Sequence, residues 1–193
     1  FNIYCAHSRD EHGLPLLICN ARNIDERKEY ESRLQYLSTR DQLTGVYNRA
    51  FFDGVLEHQT KQREYPLSLL VIDIDELKAV NDAYGHSVGD EMIKDCTVLL
   101  QGVLRKGDFL ARIGGDEFAV ILPRSDEHET LKITRRILET LQKFNEDKTD
   151  RPYILSFSVG SATAHSAAYS TSQLLSLADN DMYRRKREGM KNQ

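Results

Sequence analysis

The sequence predicts an α/β chain in which helices pack against a mixed sheet, and three observations carry that expectation. Leu67 to Ile72 is apolar at nearly every position, so helices must cover both faces of the strand it forms. The pair Gly114-Gly115 stands between two apolar segments, Phe109 to Ile113 and Phe118 to Leu122, as in two strands joined by a tight turn. Elsewhere apolar residues recur at helical spacing, as in the stripe Leu131, Ile137, Leu138, Leu141 and Phe144.

In chain order, Phe1 to Ala6 and Leu16 to Ala21 read as two strands around the polar turn Ser8 to Gly13. Such a hairpin is marginal alone and needs a sheet or partner beyond this sequence. Asp25 is a fitting N-cap for a helix to Thr39, whose Tyr30, Leu34 and Leu37 are spaced by four and three. That narrow seam suits a parallel helix pair, and packing on the following domain explains the same residues. A second domain begins at Arg40. Val46, Phe51, Phe52, Val55 and Leu56 give a helix with one apolar face, before the strand Leu67 to Ile72. A helix over Asp90 to Leu104, the glycine hairpin and a helix over Glu127 to Phe144 come next. Leu155, Phe157 and Val159 then alternate as a strand before Gly160, and a last helix over Ser172 to Arg187 presents Leu174, Leu175, Ala178 and Met182. This order of elements calls for a mixed sheet with helices packed against it.

A chain of 193 residues suits one domain of about 150 residues with an appendage. Its net charge of -4 provides no field for gripping a phosphate backbone, so no nucleic-acid partner is expected. Cys5, Cys19 and Cys96 show neither a metal spacing nor an even disulfide set, and read as buried thiols in a reducing compartment. No apolar run approaches the roughly 18 residues of a membrane span. A start at Phe1 reads as a fragment, expected to be cytoplasmic, with sensory or membrane-attached segments upstream.

The acids carry the chemistry. Asp73 ends the apolar strand, and Asp116 and Glu117 follow the glycine pair, which is expected to supply positive φ at the hairpin tip. If the hairpin lies beside the Val71 strand, these three carboxylates converge. They then repel unless neutralised, and Mg2+ with a phosphate substrate is the natural neutraliser of hard oxygen ligands. Asp75 is expected to face away from Asp73, in a helix start or salt bridge.

Arg112-Ile113-Gly114-Gly115-Asp116-Glu117-Phe118, with Leu69 to Asp75 before it, resembles the signature of the GGDEF family of diguanylate cyclases, and the likeness covers nearly everything from Arg40 onward. It implies a palm-like, mainly antiparallel sheet flanked by helices, of the kind shared with nucleotidyl cyclases, over residues 40–193. It also implies two Mg2+ ions, with Mn2+ an acceptable substitute, held by Asp73, Asp116 and the Ile74 carbonyl, with Glu117 near a metal or the ribose hydroxyl. Asp73, Asp116 and Glu117 would then be the catalytic acids. Within Asp75 to Asp90, Asn81 and Asp90 fall on the family's guanine-reading positions. A carboxylate accepts both N1-H and the exocyclic amine of guanine, which adenine cannot match. Leu77 replaces a usual Phe, a packing change, and His86 is structural. Lys78 and Lys186 occupy triphosphate-binding positions. Gly189-Met190-Lys191-Asn192 departs from a usual Gly-Arg-Asn, leaving Met190 or Lys191 in place of an arginine fork. Arg105-Lys106-Gly107-Asp108 has the Arg-x-x-Asp form of the family's product-inhibition site, and a plain helix-end ion pair is the other reading.

The run Ala21 to Glu29 resembles the last strand and exit of a PAS sensory domain. Residues 1–24 would then be a PAS remnant and 25–39 a signalling helix, unless the remnant has no role. The implied reaction condenses two GTP into cyclic di-GMP and two pyrophosphates across a homodimer, the 3'-hydroxyl of one nucleotide attacking the α-phosphate of the other. Cyclic di-GMP would be both product and inhibitor, and an upstream sensory domain would control assembly. The alternative is a degenerate module that binds GTP or cyclic di-GMP as a sensor.

Overall fold

The computed structural model describes residues 2–22, 25–147 and 150–189. The chain forms two compact units, Phe1–Ser38 and Thr39–Gln193.

In the first unit, β1 (Asn2–Arg9) and β2 (Pro15–Arg22) pair antiparallel in continuous register, Asn2 opposite Arg22 and Arg9 opposite Pro15. Both strands run closer to the turn than the apolar pattern indicates. Asp10 makes this possible: its Oδ1 accepts the amides of His12 at 2.9 Å and Leu14 at 2.8 Å, so side-chain bonds close the turn. Helix α1 (Asp25–Thr39) follows, with Tyr30, Leu34, Tyr36 and Leu37 exposed.

The second unit holds β3 (Tyr47–Asn48), α2 (Arg49–Gln62), β4 (Leu67–Ile74), α3 (Leu77–Tyr84), α4 (His86–Val103), β5 (Phe109–Arg112), β6 (Glu117–Pro123), α5 (Glu127–Glu146), β7 (Phe157–Ala164) and α6 (Thr171–Gly189). The sheet order is β3-β5-β6-β4-β7, with β3 parallel to β5 and every other pairing antiparallel. This is the mixed, mainly antiparallel sheet that the sequence predicts.

β4 lies between β6 and β7 and is covered on both faces, which is why its sequence is almost uniformly apolar. Its even residues Leu70, Ile72 and Ile74 join one core with Phe118, Val120, Phe157, Val159 and the inner faces of α4 and α5. Its odd residues Leu67, Leu69 and Val71 join a second core with Ala119, Ile121 and side chains of α2 and α6. The two-residue period thus assigns each strand position to one helical layer.

Several boundaries differ from expectation. The helix expected from Asp90 begins at His86, and a separate helix, α3, precedes it. Gly85, at φ 87°, breaks the two apart in a conformation that disfavours side-chain-bearing residues. β7 continues through Gly160 to Ala164, while Leu155 is buried just before it. Leu131 and Leu138 are 54% and 46% exposed, so they are not on the buried stripe of α5. That stripe runs through Thr130, Thr134 and Ile137. The threonines tolerate burial because their hydroxyls bond back to the carbonyls of Asp126 and Thr130. Cys96 is buried as expected, but Cys5 is exposed, because it sits on the small hairpin rather than in a core. Among the described residues, no helix is long and apolar enough to cross a membrane.

Candidate active site

Asp73 continues the odd face of β4 past Leu69 and Val71, at the strand's end where apolar cover stops. In the ladder with β6 it stands directly opposite Glu117. The Ile74 amide donates to the Asp116 carbonyl at 2.9 Å, extending the pairing by one bond and fixing the backbone of the hairpin tip beside β4. α6 covers this face, and from its last turn Lys186 donates to Asp73 and pairs with Asp75 Oδ1 at 3.1 Å. Burial alone would lower the Lys186 pKa; the bonds to Asp73 and Asp75 outweigh it and hold the ammonium above the ordinary lysine value.

Asp75 does not face away from Asp73. Residues two apart share a side in extended backbone, so both carboxylates meet one lysine. The expected salt bridge is present. Ser156 and Ser158 also donate to Asp75 at 3.0 and 3.2 Å, and the Asp75 amide donates to the Ser156 carbonyl at 2.9 Å.

The glycine pair works otherwise than expected. Neither Gly114 nor Gly115 has positive φ. A Cβ on Gly114 would stand 2.3 Å from Glu117 Oε2, so its bare backbone is what lets the Glu117 side chain fold over the turn. A Cβ on Gly115 would meet open space. Arg112 ties the turn down instead: its Nη2 and Nε donate to the Gly115 carbonyl at 2.7 and 3.2 Å, and its Nη1 to Asp41 Oδ1 at 3.2 Å. Asp41 is itself fixed by the amide and hydroxyl of Thr44, at 2.9 and 2.6 Å. Burial would raise the Asp41 pKa, but Thr44 and then Arg112 overcome it and hold the carboxyl below its ordinary value.

A depressed pKa means that this stabilisation is present above the ordinary aspartate value of 3.8 and is lost as pH falls below it. Asp41→Ala should therefore cost about 1–3 kcal/mol at pH 7. In thermal melts, the gap from wild type should close in strong acid.

Glu117 is held above its ordinary value of 4.5, first by burial, then by Asp116, Asp73 and Asp179, with Arg49 opposing. The acids thus converge within electrostatic reach. Among the described residues, however, no three acidic, imidazole or thiol groups already form a metal-holding cluster. Like charges lower their repulsion by separating, and the single charge of Lys186 offsets one of the two carried by Asp73 and Asp75.

The remaining predicted residues lie on other elements. Asn81 on α3 packs its side-chain oxygen against Gly89 of α4, where a Cβ would come within 2.0 Å, so Asn81 lies beside the residue preceding Asp90. Asp90 and Lys78 are exposed. Arg105 and Asp108 lie past the end of α4, in a turn closed by the Asp108 amide on the Arg105 carbonyl at 3.0 Å. Asp108 is 1% exposed in its side chain and accepts from Arg105 Nε at 3.0 Å. Arg105, 53% exposed, also donates to the Pro123 carbonyl at 2.8 Å and to Ser125 Oγ at 2.9 Å. The pair borders a cleft of about 310 Å³ lined also by Arg40, Tyr47 and Lys106. Met190 and Lys191 lie outside the described residues.

The family model "Diguanylate cyclase, GGDEF domain" matches residues 38–192. The chain belongs to the GGDEF family. It is 37% identical over 164 residues to the probable diguanylate cyclase DgcC of Escherichia coli, covering 83% of this chain and 44% of that protein. It is 39% identical over 144 residues to the diguanylate cyclase VdcA of Vibrio cholerae, covering 73% of this chain and 40% of that protein. The chain thus spans less than half the length of these relatives. The structure of the coiled coil and GGDEF domain of DgcB from Caulobacter crescentus, in complex with c-di-GMP, is similar at a TM-score of 0.78 and 27% identity, over 86% of this chain and 90% of that one. The GGDEF domain of TpbB from Pseudomonas aeruginosa is similar at a TM-score of 0.66 and 34% identity, over 77% of this chain and 89% of that one.

For this GGDEF domain, the oxygen donors fit a hard divalent cation. Asp73 and Glu117 are cross-strand partners, Asp116 adjoins them, and the open space at Gly115 leaves room beside the acids. What sequence reasoning missed is the bracing of the site. Arg112 lies inside the motif, yet its partner Asp41 is 71 residues away, a pairing that spacing cannot reveal. Asp179 and Arg49 reach the Glu117 environment from α6 and α2, again through the sheet face they share.

Because its neighbours disfavour a charged Glu117, Glu117→Gln should raise the melting temperature in chelator at neutral pH. A raised pKa makes the wild type's penalty grow as pH climbs through and above 4.5, so the gap should vanish in acid. Thermal melts at the two pH values would check it.

Proposed function

We propose that this chain is the catalytic portion of a diguanylate cyclase, which joins two GTP into cyclic di-GMP with release of two pyrophosphates. The observation that carries this reading is Asp73 facing Glu117 across β4 and β6 with Asp116 at the adjoining turn, in a chain of the GGDEF family. Asp73, the Ile74 carbonyl, Asp116 and Glu117 are the groups that would hold Mg2+ or Mn2+. A divalent cation there draws charge from the α-phosphate and favours ionisation of the attacking hydroxyl.

The chain's own residues bind and orient. Lys186, within reach of two carboxylates, brings positive charge to the triphosphate, and exposed Lys78 adds a second point charge. Asn81 and Asp90 read guanine through its N1-H and amine donors. Arg112, pinned to Asp41 and the Gly115 carbonyl, keeps the Asp116 turn in place so that little reorganisation accompanies reaction. Each domain positions one GTP, so the bonds from each 3'-oxygen to the other nucleotide's α-phosphorus require two domains face to face. The exposed seam of Tyr30, Leu34 and Leu37 supports pairing through α1, under control of an upstream PAS-like sensor.

Incubation of the pure protein with GTP and Mg2+, followed by chromatography, tests the reading. Cyclic di-GMP supports it; bound but unreacted GTP makes the module a sensor, and a cyclic mononucleotide makes it a different cyclase.

Product inhibition through Arg105 and Asp108 belongs to the same proposal. Cyclic di-GMP would have to draw the Arg105 guanidinium from its internal partners into the adjoining cleft. Arg105→Ala should abolish suppression of the initial rate by added product. It should also lower stability by about 1–3 kcal/mol, because a buried carboxylate loses its cation. Rates are therefore compared at a temperature where both proteins are folded, and identical inhibition curves would refute the assignment.

A further inference from the structure

The two carboxylates that share Lys186 are held in different ways. Asp75 is pinned: its Oδ2 accepts the Ser156 hydroxyl at 3.0 Å, its Oδ1 accepts the Ser158 hydroxyl at 3.2 Å, and its amide donates to the Ser156 carbonyl at 2.9 Å. Ser158 lies on β7, the strand paired with β4, so the sheet itself fixes this carboxylate. Asp73 instead stands opposite an acid, Glu117, and its carboxylate accepts from Lys186.

Lys186 joins the two. An ammonium carries three protons, of which Asp73 takes one and Asp75 Oδ1, at 3.1 Å, another. Lysine brings a point charge on a flexible stem, without arginine's rigid fork, and restricting that stem costs rotamer entropy. A lysine that must reach a triphosphate therefore gains from a neighbour that restricts it beforehand. Asp73 is unsuited to that task, because its oxygens also fit a hard cation, and two positive groups on one carboxylate repel. Asp75 is suited to it. Both its oxygens are engaged by serine hydroxyls, which leaves its charge to the lysine.

We propose that Asp75 is a positioning residue for Lys186, anchoring the ammonium so that it can exchange Asp73 for a triphosphate oxygen without losing its place. The proposal rests on the reading of the site as a GTP site, and adds to it a residue that acts through the lysine alone. Ser156, Ser158 and Asp75 form the pivot, and Asp73 and the phosphate are the two alternatives on its far side. Lys186 yields Asp73 to a cation as it gains a phosphate, so binding of the cation and binding of the nucleotide favour each other.

Two equilibrium measurements on the whole chain test this without turnover: binding of Mn2+ alone, and binding of 3'-deoxy-GTP, which lacks the attacking hydroxyl, in Mg2+. Wild type, Asp75→Asn, Lys186→Met and the double variant form a cycle, compared at a temperature where thermal melts show all four folded. Asparagine keeps the shape and an acceptor oxygen and removes the charge. Asp75→Asn should weaken 3'-deoxy-GTP binding about tenfold in the wild-type background and by less than about twofold in the Lys186→Met background, a difference that a merely structural role would not produce. Lys186→Met should bind Mn2+ about tenfold more tightly than wild type, and adding Asp75→Asn to it should change that affinity by less than about threefold. Ser158→Ala loosens Asp75 with its charge intact, and should weaken 3'-deoxy-GTP binding about twofold to threefold, again only where Lys186 is present. Equal losses with and without Lys186, no loss in Asp75→Asn or Ser158→Ala, or Mn2+ binding that ignores Lys186→Met would overturn the proposal. Any of these in a chain that turns GTP into cyclic di-GMP sinks the role of Asp75 alone, whereas the expected pattern in a chain that makes no product upholds it and sinks the cyclase reading.

Discussion

Asp116→Ala should leave the fold intact and reduce formation of cyclic di-GMP by about a thousandfold or more, as expected when an acid beside the reacting phosphate is removed. The structure explains why the two effects separate. The Asp116 side chain is only half-buried at the hairpin tip and joins neither core, while its backbone carbonyl makes the structural bond to the Ile74 amide. Alanine keeps that carbonyl. It also removes one of the charges that raise the Glu117 pKa, so the variant should melt no lower than wild type in chelator. Near-native circular dichroism with undiminished product would refute the role proposed for Asp116.

Gly160→Ala should have the opposite signature, a large loss of stability with activity lost as a consequence. β7 and α6 approach so closely at Gly160 that an added Cβ would stand 2.2 Å from the Met182 amide nitrogen, 2.3 Å from the Ala178 carbonyl oxygen and 2.5 Å from Met182 Cα. All three are backbone atoms, so no rotamer change relieves the clash and α6 must shift as a body. Overpacking of this kind costs about 3 kcal/mol or more. The same shift would carry Lys186 away from Asp73 and Asp75, four residues beyond Met182 on the same helix. Denaturant unfolding measures the first effect. A variant as stable as wild type would mean that β7 and α6 do not pack at this distance.

The sequence by itself determined the local elements whose apolar pattern is complete. β4 was legible because burial on both faces leaves an almost unbroken apolar run, and β6 because it repeats that pattern after the glycine pair. The motif around Asp116 and its likeness to the GGDEF family were legible for the same reason, since a contiguous signature needs no knowledge of what lies across the fold. The exposed faces of α5 were misjudged because leucine spacing suggested a stripe that buried threonines, satisfied by their own backbone, in fact provide.

Only the tertiary structure decided which distant groups share a face. Lys186 meets Asp73 because odd positions of β4 face the layer that contains α6, and Arg112 meets Asp41 because β3 and β5 lie side by side. Asp75 joins the same lysine because residues two apart in extended backbone share a side. Periodicity along one chain specifies which way a side chain points. Contact also depends on which strands pair, in what register and beneath which helix, and those choices are made by burial summed over the whole sheet.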